Sequence, residues 1–313
     1  MTVDAKHMEQ SAKSVTLLLM TDVVNPESAV DALPLGPESL VWRYFGDNRM
    51  FLIGPRPAVL QNMLAELGQG VLDHSVWFAD TAARIKRSLP PIFMTVYGTE
   101  TDNAGPRVRD FHHGIKGEMP VPEGPAEGSK TPARYHALDP DTYYWAHATF
   151  FDQALYFADT FVKRLSRQEK EQMYLESKTW YRRYGVSDRP MPADYAEFEL
   201  YWQRMIDEVL VAHPTAMYGI GYVTKGFPKP KSVHPMVWRV VSPVFNPIAA
   251  FLTTGGMPPR TREILGLPWS PRKERFYQQF AAVCRSRPVN WLWSRLPMKL
   301  RYNGYARKGF ANA

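Results

Sequence analysis

The sequence predicts an all-α protein, folded as a single large orthogonal bundle of helices. Of its 313 residues, 45% are hydrophobic and 13% aromatic, which is enough apolar side chain for a substantial core and excludes a disordered chain. Helix start and stop signals recur along the chain. The sequence has no alternating strand pattern, glycine-rich phosphate loop or repeat of about 20–50 residues, so dinucleotide-binding folds and solenoids are disfavoured.

Proline or a capping side chain marks the start of most predicted helices, and glycine or proline follows the end of most of them. Gly68 is expected to end the second helix, and Pro90 and Pro91 to stop the third, although a continuation to residue 97 stays open. Residues 51–53 fit a short extended segment. The predicted helices cover residues 37–45, 55–67, 77–89, 106–116, 139–163, 166–184, 192–212, 235–253, 258–265, 271–285 and 290–295.

Proline and glycine are concentrated in residues 118–134, which predicts one long surface loop inside the helical domain. A loop of this length either covers a site or is an inert insertion, and the sequence leaves both alternatives open. We therefore expect an N-terminal extension over residues 1–36, a helical domain over 37–308 and a short tail over 309–313.

The chain carries a net charge of +7, with many of its lysines and arginines in the last third. Scattered solvated side chains are the simplest explanation, and a basic face that meets anionic lipid or an acidic partner is the alternative. No nucleic-acid-binding motif accompanies the charge, so nucleic acid is not expected as a partner. The single cysteine, Cys284, excludes an intramolecular disulfide and a zinc–thiolate site.

The start of the chain lacks the cationic and apolar layout of a leader sequence. No uninterrupted apolar run approaches the ~20 residues of a membrane span. We therefore expect a cytoplasmic protein, with peripheral membrane contact and the oligomeric state left open.

The most informative segment is the predicted helix that begins at Asp139 and Pro140, an N-cap acceptor followed by a proline at the first helical position. His147 lies inside this helix, among aromatic residues and beside the small Ala146 and Ala148. Small neighbours allow a flat group to approach one imidazole nitrogen, and haem iron bound through a proximal histidine is the leading candidate. A hydrogen-bonded core histidine is the alternative.

A basic segment upstream, residues 107–113, places two arginines and two histidines within one or two helical turns. Arg109 and His113 are four residues apart and would share a helix face. Side chains of these types can donate hydrogen bonds to dioxygen or a peroxide beside an iron centre. A solvent-exposed basic helix is the alternative.

In their order and spacing, these segments resemble the oxygenase family that includes the bacterial latex-clearing protein, a rubber oxygenase, and the MpaB-type oxygenase of mycophenolic acid biosynthesis. The resemblance spans residues 37–308. The matching segments are Gly46-Asp47-x-Arg49, Asp73-His74-Ser75, Arg84 with Ser88, Arg107-x-Arg109-x-x-His112-x-x-x-x-Gly117, Tyr135-x-Ala137-Leu138-Asp139-Pro140, Trp145-Ala146-His147-Ala148-Thr149, the acidic and aromatic residues 193–202, and Leu296-Pro297 with Arg301-Tyr302.

The resemblance implies that the helical bundle encloses a haem b pocket, with His147 as the proximal iron ligand. The distal lysine of latex-clearing proteins has no counterpart in register here, so polyisoprene is not assumed as the substrate. The cofactor contacts that we expect beside His147 are Arg107, Thr149 and Phe151, and the distal catalytic residues are Arg109, His112 and His113.

The expected function is therefore a haem b-dependent oxygenase that uses dioxygen on a small hydrophobic substrate of isoprenoid or lipid-like character. Two alternatives stay open. One is a haem-binding protein without turnover, and the other is a non-haem metal hydrolase built from Asp73, His74, His112 and His147.

Overall fold

The computed structural model describes residues 31–99, 102–120, 133–230 and 233–313. Residues Ala32–Ala313 form one compact, predominantly helical unit, so the all-α prediction is confirmed. The α-helices are α1 (Leu40–Phe45), α2 (Arg56–Asn62), α3 (Ala65–His74), α4 (Thr81–Tyr97), α5 (Gly105–Phe111), α6 (Pro140–Phe157), α7 (Arg167–Arg182), α8 (Tyr195–Arg204), α9 (Pro214–Thr224), α10 (Pro235–Gly256), α11 (Pro259–Ile264), α12 (Pro271–Arg285), α13 (Arg287–Arg295), α14 (Met298–Arg301) and α15 (Gly304–Asn312).

Three irregular helical segments complete these elements. A 3₁₀ helix, Asn48–Ile53, replaces the extended segment predicted at 51–53, because the side chain of Asp47 caps it at its first turn. Single π-helical turns, Ala158–Val162 and Met205–Val209, prolong α6 and α8.

A short antiparallel hairpin flanks the predicted loop at 118–134. Strand β1 (Lys116–Glu118) pairs with β2 (Arg134–His136), and Gly117 lies opposite Tyr135. Glu118 and Arg134 therefore belong to strands, and residues 121–132 of the loop lie outside the described part of the chain. The helix predicted over 106–116 ends early, at Phe111, because the chain turns into this hairpin.

Helix α6 lies at the centre of the core. Almost all of its side chains are buried, and it packs against α1, α2 and α7. Asp139 caps it by accepting hydrogen bonds from the backbone N–H groups of Asp141 and Thr142, at 3.1 and 3.3 Å. Pro140 follows at the first helical position, where its missing N–H costs nothing.

The helix end expected at Gly68 is also wrong, and at Pro90 and Pro91 the open alternative, continuation to residue 97, is the one found. Gly68 lies inside α3, and the break falls earlier, at Leu64, whose backbone is extended. Gly68 is instead a packing position, since a Cβ there would lie 2.4 Å from Nδ1 of His213. Pro90 and Pro91 lie inside α4, which continues to Tyr97. Residues 85–87 are exposed, so water can satisfy the carbonyls that these prolines leave without donors.

The structure describes the C-terminal end of the chain fully, and the N-terminal end only from residue 31 onward. Most of the predicted extension 1–36 lies outside the described residues, although the Leu33 N–H does donate to the Leu175 carbonyl at 3.1 Å. The predicted tail 309–313 includes the last turn of α15, where Phe310 packs 5.7 Å from the ring of Trp42.

Helix α10 combines length with an apolar composition, although its apolar run is not continuous. Among the described residues it is the helix that is long and apolar enough to cross a membrane, by length and composition. Arg239, Pro243 and Asn246 interrupt its apolar run, so the expectation that no uninterrupted run approaches ~20 residues is not contradicted.

Candidate functional site

Aromatic rings surround the imidazole of His147, which is only 4% exposed. Three rings come from α7 and the residues after it: Trp180 at 4.8 Å, Tyr181 at 5.1 Å and Tyr184 at 6.3 Å between centroids. Tyr144, on α6 itself, lies at 6.0 Å. The histidine is thus enclosed in an apolar interior between α6 and α7.

Burial lowers the pKa of His147 to about 3, and hydrogen bonding with the backbone of Ser177 only partly opposes this effect. The ring is therefore neutral at neutral pH. Its Nδ1 atom is buried and has no hydrogen-bond partner among the described residues. A neutral imidazole that is held by a backbone group and has a nitrogen to spare has the donor chemistry of an axial metal ligand.

A second unpartnered polar atom lies on the same face of α6. Tyr143 precedes His147 by one helical turn, and its buried hydroxyl also has no partner within the described part of the chain. Burial raises the pKa of Tyr143, so the hydroxyl keeps its proton and can act as a donor. The sequence prediction missed this residue, although its spacing of four from His147 places the two on one face.

The donor set decides which kind of metal centre these residues can form. Among the residues that the structure describes, no group of three or more histidine, cysteine, aspartate or glutamate side chains is placed to hold a metal ion. A metal at His147 must therefore bring most of its own ligands, as the iron of a porphyrin does. His147 fits this group by its chemistry. Nδ1 is buried in this structure, so a macrocycle can reach it only if neighbouring side chains move aside.

The four residues of the non-haem hydrolase alternative are not brought together. Asp73 accepts from the hydroxyl of Tyr135 at 2.6 Å, and Nε2 of His74 lies 3.2 Å from the carbonyl of Lys116. Both side chains therefore hold the hairpin against α3 and belong to another part of the fold than His147.

His112 is the distal candidate that lies closest to this region. Its ring is 5.8 Å from that of Tyr143 and perpendicular to it, and Nδ1 lies 2.6 Å from the carbonyl of Val108. Burial lowers the pKa of His112, against the effect of that carbonyl. Tyr143 in turn lies 5.5 Å from Tyr184, a neighbour of His147. A continuous set of rings thus joins His112 to His147.

The other basic side chains of α5 lie nearer the surface. Nε of Arg109 donates to Asp110 at 2.8 Å, and Nη1 lies 3.5 Å from the carbonyl of Gly185, the residue after Tyr184. Arg107 is exposed. His113 is also exposed, with Nε2 3.5 Å from Asp110. The structure therefore brings Arg109 and His112 towards the site and leaves Arg107 and His113 at the surface.

Thr149 and Phe151 have partners elsewhere. The hydroxyl of Thr149 donates to the carbonyl of Ala146 at 2.8 Å and accepts from Nε2 of Gln61 at 2.9 Å. Phe151 packs against Tyr174 and Phe198, at 5.7 and 5.0 Å between ring centroids. The structure does not place either side chain beside the His147 ring.

A cavity of about 840 Å³ opens at the N-terminal end of α6. This volume suits a ligand of several hundred daltons. Its lining is mixed: Leu64, Met205 and Val209 are apolar, whereas charged residues come from the hairpin and from the helices around it. The charged lining residues are Glu66, Lys116, Glu118, Arg134, Asp139, Asp141 and Arg204. Tyr201 connects the cavity to the site, because its ring lies 5.2 Å from that of Tyr144. The lining residues include Leu64, Tyr135, Thr142, Tyr201, Met205 and Val209.

Fold and site together define an all-α protein built around one central aromatic helix with a buried, neutral histidine. The chain belongs to the family described as ER-bound oxygenase mpaB/B'/Rubber oxygenase, catalytic domain, whose profile matches residues 42–286. The family resemblance in the sequence is thereby confirmed. Two uncharacterized proteins, one from Mycobacterium bovis and one from Mycobacterium tuberculosis, are each 24% identical to it over 235 residues, which cover 72% of this chain and 84% of the relative. No solved structure matches the chain.

Proposed function

We propose that this oxygenase-family chain is a haem b-dependent enzyme that uses dioxygen to oxidise a small hydrophobic substrate, with His147 as the proximal iron ligand. The observation that carries the proposal is the pair of unpartnered polar atoms on one face of α6, Nδ1 of His147 and the hydroxyl of Tyr143. Buried polar groups are nearly always hydrogen-bonded, so two orphans one turn apart indicate that a ligand completes this region.

Haem b, when bound, supplies the redox chemistry that activates dioxygen. The chain supplies the surroundings. Burial keeps His147 neutral and able to donate its electron pair to a metal, and the rings of Trp180 and Tyr181 exclude water from it. Tyr143, Arg109 and His112 are the hydrogen-bond donors on the side of α5 and can orient an oxygen atom there.

We assign the cavity at the N-terminal end of α6 to the substrate. Leu64, Met205 and Val209 give it an apolar wall, and Tyr201 separates it from the rings around His147. Both ends of the loop 118–134 border this cavity through the hairpin residues Gly117 and Tyr135. We therefore keep the prediction that the loop 118–134 covers this cavity.

The test is the absorption spectrum of the purified protein, produced with ample iron and porphyrin precursor. We expect an intense haem band in the wild type and its loss in His147→Ala. His113→Ala is the matched control, since this histidine is exposed, lies 3.5 Å from Asp110 and should retain the band. A colourless wild type, or full haem content in His147→Ala, would overturn the assignment.

A further inference from the structure

Helix α10 exposes apolar side chains over most of its length. Val240, Val244 and Ile248 are 75, 64 and 51% exposed, and they follow each other at intervals of four residues. Only 11% of the most apolar window of α10 is buried, so it is not the core helix of a soluble domain. The exposed apolar side chains of α10 are Met236, Val237, Val240, Val241, Val244, Phe245 and Ile248.

The rest of α10 fixes the orientation of this face. Its last turn, Leu252–Gly256, is buried in the domain, and the guanidinium Nε of Arg56 donates to the Gly256 carbonyl at 2.6 Å. Further towards the N-terminus, α10 packs against α9, and Asn246 accepts from the backbone N–H of Phe227 at 3.2 Å. The helix is therefore a rigid part of the domain that presents its other faces outward.

The segment around α10 is basic in sequence, although Arg260 and Arg262 pair with Glu263 and Glu274. From residue 209 to 262 the sequence contains no aspartate or glutamate, whereas it contains six lysines and arginines. Among the described residues, Lys225 and Arg239 form no ion pair with a carboxylate. Trp238 and Tyr222 add amphipathic rings of the kind found where a protein meets the headgroup region of a bilayer.

We propose that this face of α10 docks on an anionic lipid bilayer. Apolar side chains of the helix enter the boundary between headgroups and acyl chains, and the surrounding lysines and arginines meet lipid phosphates and carboxylates. A second copy of the chain is a poorer partner, because a symmetric contact would set the basic segment 225–239 of one copy beside the same segment of the other.

The helix lies in the plane of the membrane and does not cross it. The 17 residues ahead of its buried last turn span about 25 Å, short of the ~30 Å of a hydrocarbon core. Pro243 and Pro247 also leave the carbonyls of Arg239 and Pro243 without helical donors. Water satisfies these carbonyls at an interface, whereas hydrocarbon cannot.

The experiment is co-sedimentation of the full chain with phosphatidylcholine vesicles, with and without phosphatidylserine. We expect binding to the anionic vesicles that weakens as salt is added. Val240→Glu/Val244→Glu should reduce this binding by about tenfold or more, because two apolar insertions are lost. Leu200→Glu is the matched control on α8, 73% exposed and outside this face, and should bind as the wild type does.

A second variant isolates the charges. Lys225→Gln/Arg239→Gln should weaken binding to anionic vesicles and leave the small binding to neutral vesicles unchanged. Circular dichroism checks that every variant keeps its helical content. The proposal is overturned if the wild type stays in the supernatant, or if the Val240→Glu/Val244→Glu variant binds as strongly as Leu200→Glu. It is also overturned if a lipid-free dimer exists and the valine variant makes it a monomer.

Discussion

Tyr143 and Tyr184 are two buried tyrosines beside the same histidine, and they differ in one hydrogen bond. The hydroxyl of Tyr184 accepts from Nε1 of Trp180 at 2.9 Å, whereas that of Tyr143 has no partner within the described residues. A buried polar group that loses its partner costs about 1–3 kcal/mol. The ligand-free fold therefore bears this cost at the Tyr143 hydroxyl. Nδ1 of His147, one helical turn away, is likewise buried without a hydrogen-bond partner among the described residues.

This difference predicts opposite outcomes for the same substitution. In haem-free protein, Tyr143→Phe should leave the free energy of unfolding unchanged or raise it by about 1 kcal/mol, because it removes an unsatisfied hydroxyl. Tyr184→Phe should lower it by about 1–3 kcal/mol, because Trp180 loses its acceptor. Urea unfolding measures both values. Equal losses in the two variants would show that the Tyr143 hydroxyl has a partner after all.

Helix α5 carries Arg109 and is followed by His112, and its first residue lies in close contact with the backbone of Arg183. A Cβ on Gly105 would lie 2.1 Å from the carbonyl oxygen of Arg183, a backbone atom that cannot turn aside as a side chain can. The first turn of α5 thus touches the chain after α7, the helix that provides rings around His147. This contact couples the two sides of the candidate site.

Gly105→Ala should destabilise the protein, although alanine is the better helix former by about 1 kcal/mol. The overlap with the Arg183 backbone outweighs this preference, and we expect a net loss of about 1–3 kcal/mol in unfolding free energy. Gly114→Ala serves as control, because a Cβ there meets nothing within 4 Å. If both variants unfold at the same urea concentration, Gly105 does not fix the position of α5.

Helix ends that depend on local sequence were predictable, and those that depend on distant contacts were not. The helix predicted over 271–285 has these bounds in α12, since Ser270 caps its start by accepting from the N–H of Lys273. Gly68 resembles a helix stop in the sequence, but it lies inside a helix. Glycine is needed there because the ring of His213, far along the chain, packs against it. The hairpin β1–β2 was also missed, because its three-residue strands are too short to show alternation.

The sequence placed His147 on an aromatic helix, and the structure finds it there, buried and neutral. Its role as an iron ligand, which the family resemblance implies, stays a prediction. Thr149 is two residues further, which turns it about 200° around the helix, towards Gln61. Thr149 was expected at the cofactor because it is close to His147 in sequence, but the turn of the helix points it elsewhere. Tyr143 is four residues from His147, and this spacing predicts that the two share a helix face.

Across the whole molecule, one buried ion pair joins distant parts of the chain. Arg56 on α2 pairs with Asp152 on α6, and it also donates to the carbonyl of Gly256 at the end of α10. Its guanidinium lies 4.6 Å from the ring of Tyr156, whose hydroxyl is 2.9 Å from that of Tyr277 on α12. Removal of water from both charges costs several kcal/mol, so the pair specifies the assembly of these four helices more than it adds to net stability.

Substitutions at this pair should therefore be strongly non-additive. Arg56→Met leaves a buried carboxylate without its partner and should cost about 3–5 kcal/mol in unfolding free energy. Arg56→Met/Asp152→Leu removes both charges and should recover most of that loss. The part that is not recovered is the lost hydrogen bond from Arg56 to the Gly256 carbonyl. The exposed pair between Arg189 and Asp141 is the control, and Arg189→Met should cost less than about 1 kcal/mol. Urea unfolding of the wild type and the three variants measures these differences. If the double variant is no more stable than Arg56→Met, then packing around the arginine, and not its charge, holds these helices together.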